Sequence, residues 1–229
     1  MPSCDGLSGL RGGLVVSCQA QPREPLHGAA HMAAMALAAV EGGAVGIRCE
    51  SPADIAAIRA VVQVPLIGLW KRGEGGVYIT PTFADAAAVV AAGADVVALD
   101  ATARARPEPL PGLVARVTTE LGVPVLADVS TLEEALAAEA AGAWAVAPTL
   151  AGYTGAGPVP PGPAWTLLQA LVARCRCPVL MEGRIWTPEE ASRALDLGAW
   201  AVVVGSAITR PQLITRRFTS RLAGTGTEG

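Results

Sequence analysis

Two kinds of strand entry alternate along this chain, and that alternation constrains its fold more than any other feature. One kind follows Gly-Ala or a close variant: EGGAVGIR (41–48), AAGADVVALD (91–100), AAGAWAVAP (140–148) and DLGAWAVVVG (196–205). The other follows Val-Pro or Cys-Pro: VPLIGLWK (64–71), VPVLADVS (123–130) and CPVLMEGR (177–184), with GGLVVSCQ near the start. The result is about eight short apolar runs, roughly 20 to 34 residues apart, with Ala-rich helical stretches such as TLEEALAAEAAGA and TPEEASRALDLGA between them. Strands this apolar are buried on both faces, which belongs to parallel sheets with helical crossovers. About eight such units in 229 residues predict an α/β fold, a single (β/α)8 TIM barrel over residues 1–222. The alternative is a doubly wound open sheet, but no G-x-G-x-x-G follows the first strand, and repetition through the whole chain favours closure.

Local signals agree with the repeat. Thr131 with Glu134 and Thr187 with Glu190 match the capping box, and Ser51 precedes Pro52 at a helix start. TGAGPVPPGP (154–163) reads as a constrained loop over the barrel mouth after the sixth strand. AGTGTEG (223–229) reads as a disordered tail.

The chain is 52% hydrophobic and 16% charged, which excludes the composition of disorder, and a net charge of −3 gives no basic footprint for nucleic acid. No apolar run is long enough for a membrane span and no signal-peptide pattern opens the chain, so a cytoplasmic protein acting on a small molecule is expected. Cys4, Cys18, Cys49, Cys175 and Cys177 are odd in number and scattered, as free thiols in a reducing compartment would be.

The residues where the apolar runs stop are nearly all polar: Gln19, Arg48, Lys71, Asp100, Asp128, Thr149 after Pro148, Glu182 with Arg184, and Ser206 after Gly205. In a barrel these ends converge on the carboxyl-terminal face, where such enzymes build their sites. Any single one is more often structural than functional; the set is harder to dismiss. Lys71 is the only lysine in the chain. A lone lysine at a strand end suggests chemistry that an always-charged arginine cannot do, since burial can turn a lysine into a base. Gly183 with Arg184, and GSAITRP (205–211), follow the seventh and eighth runs, where barrels of this kind commonly bind phosphate; Arg184 or Arg210 would add a charge-assisted contact.

Other features have plainer readings. His27 and His31 have helical metal-ligand spacing but no Glu follows His27, so surface or packing roles are favoured. Cys18 lies in a strand run without a nearby histidine and reads as a packed thiol. Tyr153 lies on the loop after the sixth run, and Asp100 either orients Lys71 or satisfies loop backbone.

With those residues in view, the chain resembles the N-acylglucosamine-6-phosphate 2-epimerases over essentially all of Leu10 to Leu222. The resemblance rests on GGLVVSCQA with EPLH, EGGAVGIR, PLIGLWKR, VYITPT, ADVVALDAT, ADVSTLEE, TLAGYT, EGRI with TPEEA, and VVVGSAITRPQLITRRF. It implies a phosphate-binding barrel with no metal or organic cofactor that interconverts N-acetylmannosamine 6-phosphate and N-acetylglucosamine 6-phosphate in sialic acid breakdown. It assigns catalysis to Lys71 and Glu182, sugar contacts to Gln19, Arg48 and Asp128, and the phosphate end to Arg184, Gly205, Ser206 and Arg210. It brings the further expectation of a homodimer. Two departures bear on loop shape and sugar selectivity: the short RGEGGVYIT stretch after Lys71, and Trp186 where relatives carry a small polar residue. Two other functions compete: a different phosphate-binding barrel isomerase or synthase, and a catalytically silent sugar-phosphate sensor.

Overall fold

The computed structural model describes residues 5–224 apart from Glu74, Ala156, Pro158 and Pro160. Its strands are β1 (Leu14–Cys18), β2 (Gly46–Glu50), β3 (Leu66–Leu69), β4 (Val96–Asp100), β5 (Val125–Asp128), β6 (Ala145–Ala147), β7 (Leu180–Glu182) and β8 (Ala201–Val204). They pair in parallel in the order β6-β5-β4-β3-β2-β1-β8-β7. The two ends of that order meet: Val146 bridges Val179 in parallel, and its N–H donates to the Pro178 carbonyl at 3.0 Å. The sheet is therefore a barrel, and the open-sheet alternative falls away.

Around it run α1 (Ala29–Glu41), α2 (Pro52–Arg59), α3 (Phe83–Ala91), α4 (Leu110–Arg116), α5 (Leu132–Ala140), α6 (Trp165–Arg174), α7 (Pro188–Asp196), the single turn α8 (Ser206–Thr209) and α9 (Pro211–Gly224). The capping boxes at Thr131 and Thr187 form as their sequence signals predict, and Ser51 caps α2 through its side chain. A third box joins Thr82 to Asp85, where Asp rather than Glu sits at the third helical position. The last helix runs through Gly224, past the boundary placed at 222; residues 225–229 of the expected tail lie outside the described residues.

Strand side chains alternate between two cores, because successive residues of a strand point to opposite faces. Val16, Ile47, Leu66, Val97, Ala127, Val146, Met181 and Val202 face the helices, while Val15, Ile67, Val96, Leu126, Ala145, Leu180 and Ala201 fill the barrel. Leu7 and Leu10, from an N-terminal 3-10 turn, join the inner cluster. Gly46 makes room for Leu10, whose Cδ2 would lie 2.5 Å from any Cβ placed there. The amino-terminal end of the barrel is thus packed shut. Each such buried Val, Leu, Ile or Met side chain contributes about 1.5–3 kcal/mol. At the other end the inward positions turn polar, two residues on from these in β1, β2, β5 and β7 and four residues on in β3, β4 and β6.

Candidate active site

Arg48 follows Gly46 on the inner face of β2, Asp128 follows Leu126 on β5, and Glu182 follows Leu180 on β7. These strands are not neighbours in the sheet, so only closure brings the three side chains together. Arg48 is 1% exposed and Asp128 0%. Their contact is a two-pronged ion pair, Nη1 to Oδ1 at 3.0 Å and Nη2 to Oδ2 at 2.6 Å. The same guanidinium reaches Glu182 Oε2 at 2.8 Å. The Thr149 hydroxyl, just past β6, is shared between Asp128 Oδ1 at 2.6 Å and Glu182 Oε2 at 3.2 Å.

The charges of this cluster are set by burial and by each other. Burial works against the Arg48 cation, but Asp128 and then Glu182 outweigh it and raise its pKa, so it stays charged. For Glu182 burial wins: the carboxyl is pushed up to about 7, with Arg48 opposing and Asp128 adding to the rise. One carboxyl of the cluster therefore titrates near neutrality, where a proton-transfer group is useful.

Lys71 continues the inner face of β3 beyond Ile67 and Leu69. Its Nζ donates to Gln19 Oε1 at 2.7 Å and pairs with Glu50 Oε2 at 3.2 Å. Gln19 is held in turn by its Nε2 bond to Ser17 Oγ at 3.0 Å. The chain after Lys71 folds straight back: Lys71 and Ile79 form an antiparallel bridge, and Arg72 N–H donates to the Tyr78 carbonyl at 2.8 Å. Asp100 accepts from the backbone N–H of Tyr78 and of Thr102 and pairs with Arg104. That settles its open role, since it braces loop backbone, including the hairpin that carries Lys71, and makes no described contact with Lys71 itself.

Lys71, Gln19, Arg48, Thr149 and Glu182 line one cavity of about 520 Å³ at the carboxyl-terminal mouth. Its wall includes Gln19, Arg48, Lys71, Glu182, Arg184, Gly205, Ser206 and Arg210, all read as site residues from the sequence. Asp128 is the exception: it lies beneath the wall with its oxygens taken by Arg48 and Thr149, and so meets the cavity through those two side chains.

Comparison with known proteins fits this geometry. A family model described as "Putative N-acetylmannosamine-6-phosphate epimerase" matches residues 32–223. The chain belongs to this family. A relative from Thermosynechococcus vestitus, named as an N-acetylmannosamine-6-phosphate 2-epimerase with the same qualifier, is 54% identical over 93% of this chain and 94% of its own. One of the same name from Cutibacterium acnes is 48% identical over 94% of this chain and 96% of its own. The solved N-acetylmannosamine-6-phosphate 2-epimerase of Clostridium perfringens superposes with a TM-score of 0.91 at 44% identity, covering 93% of this chain and 95% of that one.

The positions that the epimerase resemblance gives to a phosphate group sit together on the β7 and β8 side of the mouth. Arg184 follows Gly183 in a left-handed conformation, φ 57°, and its Nη1 donates to the Ala151 carbonyl at 2.9 Å. Arg210 is ion-paired with Glu24, which also accepts from Gln212 at 3.0 Å. Gly205 brings backbone close to β1; a Cβ there would lie 3.3 Å from Ser17 Cβ. Trp186, one of the two departures from the epimerase pattern, lines the cavity and carries Arg217 over its ring at 4.3 Å.

Several contributors escaped the sequence reading. Glu50 is two residues beyond Arg48 on the same strand, so period-two alternation alone pointed it inward beside Lys71. Thr149 was noted as a strand end but not as a site residue, and Tyr78, on the hairpin, also lines the cavity. His27 and His31 lie outside the cavity wall, with ring nitrogens near the carbonyls of Ala20 and His27 at 3.2 and 3.3 Å. Burial pushes the Cys18 thiol up to about 12, which suits packing and not nucleophilic attack.

Proposed function

We propose that this chain interconverts N-acetylmannosamine 6-phosphate and N-acetylglucosamine 6-phosphate, with Lys71 and Glu182 moving the proton at C2 of the open-chain sugar. One observation carries the roles. Lys71 follows β3 and Glu182 ends β7, four places apart in an eight-stranded ring, and both line the same cavity. A carbon bound between them is reached from two faces. C2 lies beside the C1 aldehyde, so loss of its proton sends the C–H electron pair to the carbonyl oxygen and forms an enolate. One group takes that proton; the other delivers a proton to the opposite face, the enolate collapses to the aldehyde, and the configuration at C2 is inverted. Gln19 and Arg48 hold sugar oxygens, Asp128 keeps Arg48 charged and oriented, and Arg184 and Arg210 meet the phosphate with the Gly205–Ser206 backbone.

Membership of the family supports a role for this reaction in sialic acid and amino-sugar catabolism. Free thiols at Cys18, Cys49, Cys175 and Cys177 suit the cytoplasm, and among the described residues no helix is long and apolar enough to cross a membrane. Phe218 and Leu222, 69% and 71% exposed along α9, support the homodimer.

The test follows both sugars by NMR from either direction across pH. The pair must hold one proton in total to work, whichever member carries it, so both directions share one pH profile. Below about 7 the Glu182 carboxyl gains a second proton for the pair and no base remains. The expected result is interconversion whose kcat/KM falls on the acid side with a midpoint near 7, alike in both directions. Purified protein that converts neither sugar at any pH overturns the reading.

A further inference from the structure

Beyond the assigned groups, one aromatic ring on the rim has an exposed position and a single described ring contact. Tyr153 is 61% exposed, and the Arg184 guanidinium lies over its ring, 4.3 Å from the centroid. Both residues line the cavity. The turn that carries Tyr153 is fixed at several points: its N–H donates to the Leu150 carbonyl at 2.9 Å, and Thr154 Oγ1 bonds Ser130 Oγ at 3.0 Å, beyond the end of β5. Ser130 is itself held by Glu134 at 2.7 Å. Gly152 and Gly155, with φ of 76° and 75°, supply the left-handed conformations that this tight path needs.

The two arginines on the β7 and β8 side of the cavity differ in a way that makes the ring matter. Arg210 is compensated by Glu24, whereas Arg184 has no carboxylate partner among the described residues. Arg184 is held on one edge by the Ala151 carbonyl and on one face by the Tyr153 ring, and its Nη2 is buried without a partner among the described residues. A buried donor in that state is destabilising until an acceptor oxygen reaches it. A planar cation fixed on an edge and a face keeps one orientation for a two-pronged contact with an oxyanion.

We propose that Tyr153 is a positioning residue for the phosphate end, its ring orienting the Arg184 guanidinium toward a phosphate oxygen. This rests on the epimerase reading for the identity of the sugar but not for the anion contact. The ring's face does the work, so the hydroxyl is dispensable. Stacking of this kind is worth roughly a 3- to 10-fold change in affinity.

The experiment compares wild type, Tyr153→Phe, Tyr153→Leu and Tyr153→Ala. Calorimetry measures binding of inorganic phosphate, and kinetics measure kcat and KM with N-acetylmannosamine 6-phosphate. The leucine and alanine variants are expected to bind phosphate roughly 3- to 10-fold more weakly and to raise KM by a similar factor with kcat nearly unchanged, while phenylalanine matches wild type. Unchanged phosphate affinity in Tyr153→Ala, or a loss in Tyr153→Phe equal to that in Tyr153→Ala, overturns the proposal. If wild type binds phosphate but converts no sugar, the epimerase reading fails, and the phosphate affinities of the variants still decide the role of Tyr153.

Discussion

Lys71→Ala is expected to lower kcat roughly 10²- to 10⁴-fold, the usual contribution of a positioned acid–base group, and to leave the fold in place. The side chain is 29% exposed and its carboxylate partner Glu50 20% exposed, so the lost ion pair costs no more than about 1 kcal/mol. No other lysine exists in the chain to substitute for it. Lys71→Arg is expected to remain inactive, because a guanidinium keeps its proton at any working pH and cannot take one from C2. Interconversion assays set beside thermal unfolding check this pair: low activity with a melting point within a few degrees of wild type fits the role. Activity within a few-fold of wild type in Lys71→Ala removes Lys71 from catalysis.

Arg48→Met has the largest expected effect on stability. Arg48 sits between two carboxylates with almost no exposure, and removing one partner of a buried ion pair typically costs about 3–5 kcal/mol, since the partner charge stays buried without compensation. Asp128 is left with only the Thr149 hydroxyl among its described side-chain partners. The same change removes the largest influence holding the Glu182 pKa down, so that carboxyl rises above 7 and is protonated at neutral pH. Arg48→Met is therefore expected to be both unstable and inactive. Arg48→Met with Asp128→Leu is expected to regain much of the stability and none of the activity, because an apolar pair of similar bulk has no charge to desolvate. Denaturant midpoints at constant slope report the first effect. A loss below about 1 kcal/mol in Arg48→Met would show that the cluster is not a buried network.

The barrel was legible because every strand is apolar on both faces, a pattern that a parallel sheet under helices demands and that local sequence displays directly. The polar rim was legible for the same reason: a charged residue such as Arg48 or Glu182 ending an apolar run has nowhere to point but the mouth. What local pattern does not carry is the pairing across the barrel. Arg48 meets Asp128 across a sequence separation of 80 residues, and Thr149 meets Glu182 across one of 33, contacts that depend on the curvature of the closed sheet. Asp128 accordingly read as a sugar contact, although it lies below the wall as the partner of Arg48. Tyr78 and Tyr153 sit on loops whose paths are set by hairpin and turn bonds, without the periodicity that marks strands and helices.

Solvent deuterium at C2 is the most direct measurement of paired proton transfer by Lys71 and Glu182. It is best made above pH 8, where the Glu182 carboxyl is expected to be ionised because its pKa is about 7. Wild type is expected to label both sugars. Lys71→Ala and Glu182→Gln are each expected to stop interconversion, and each to leave exchange in one epimer only, a different one in the two variants. Label entering both epimers in either variant, or the same epimer in both, would contradict two groups working on opposite faces of one carbon.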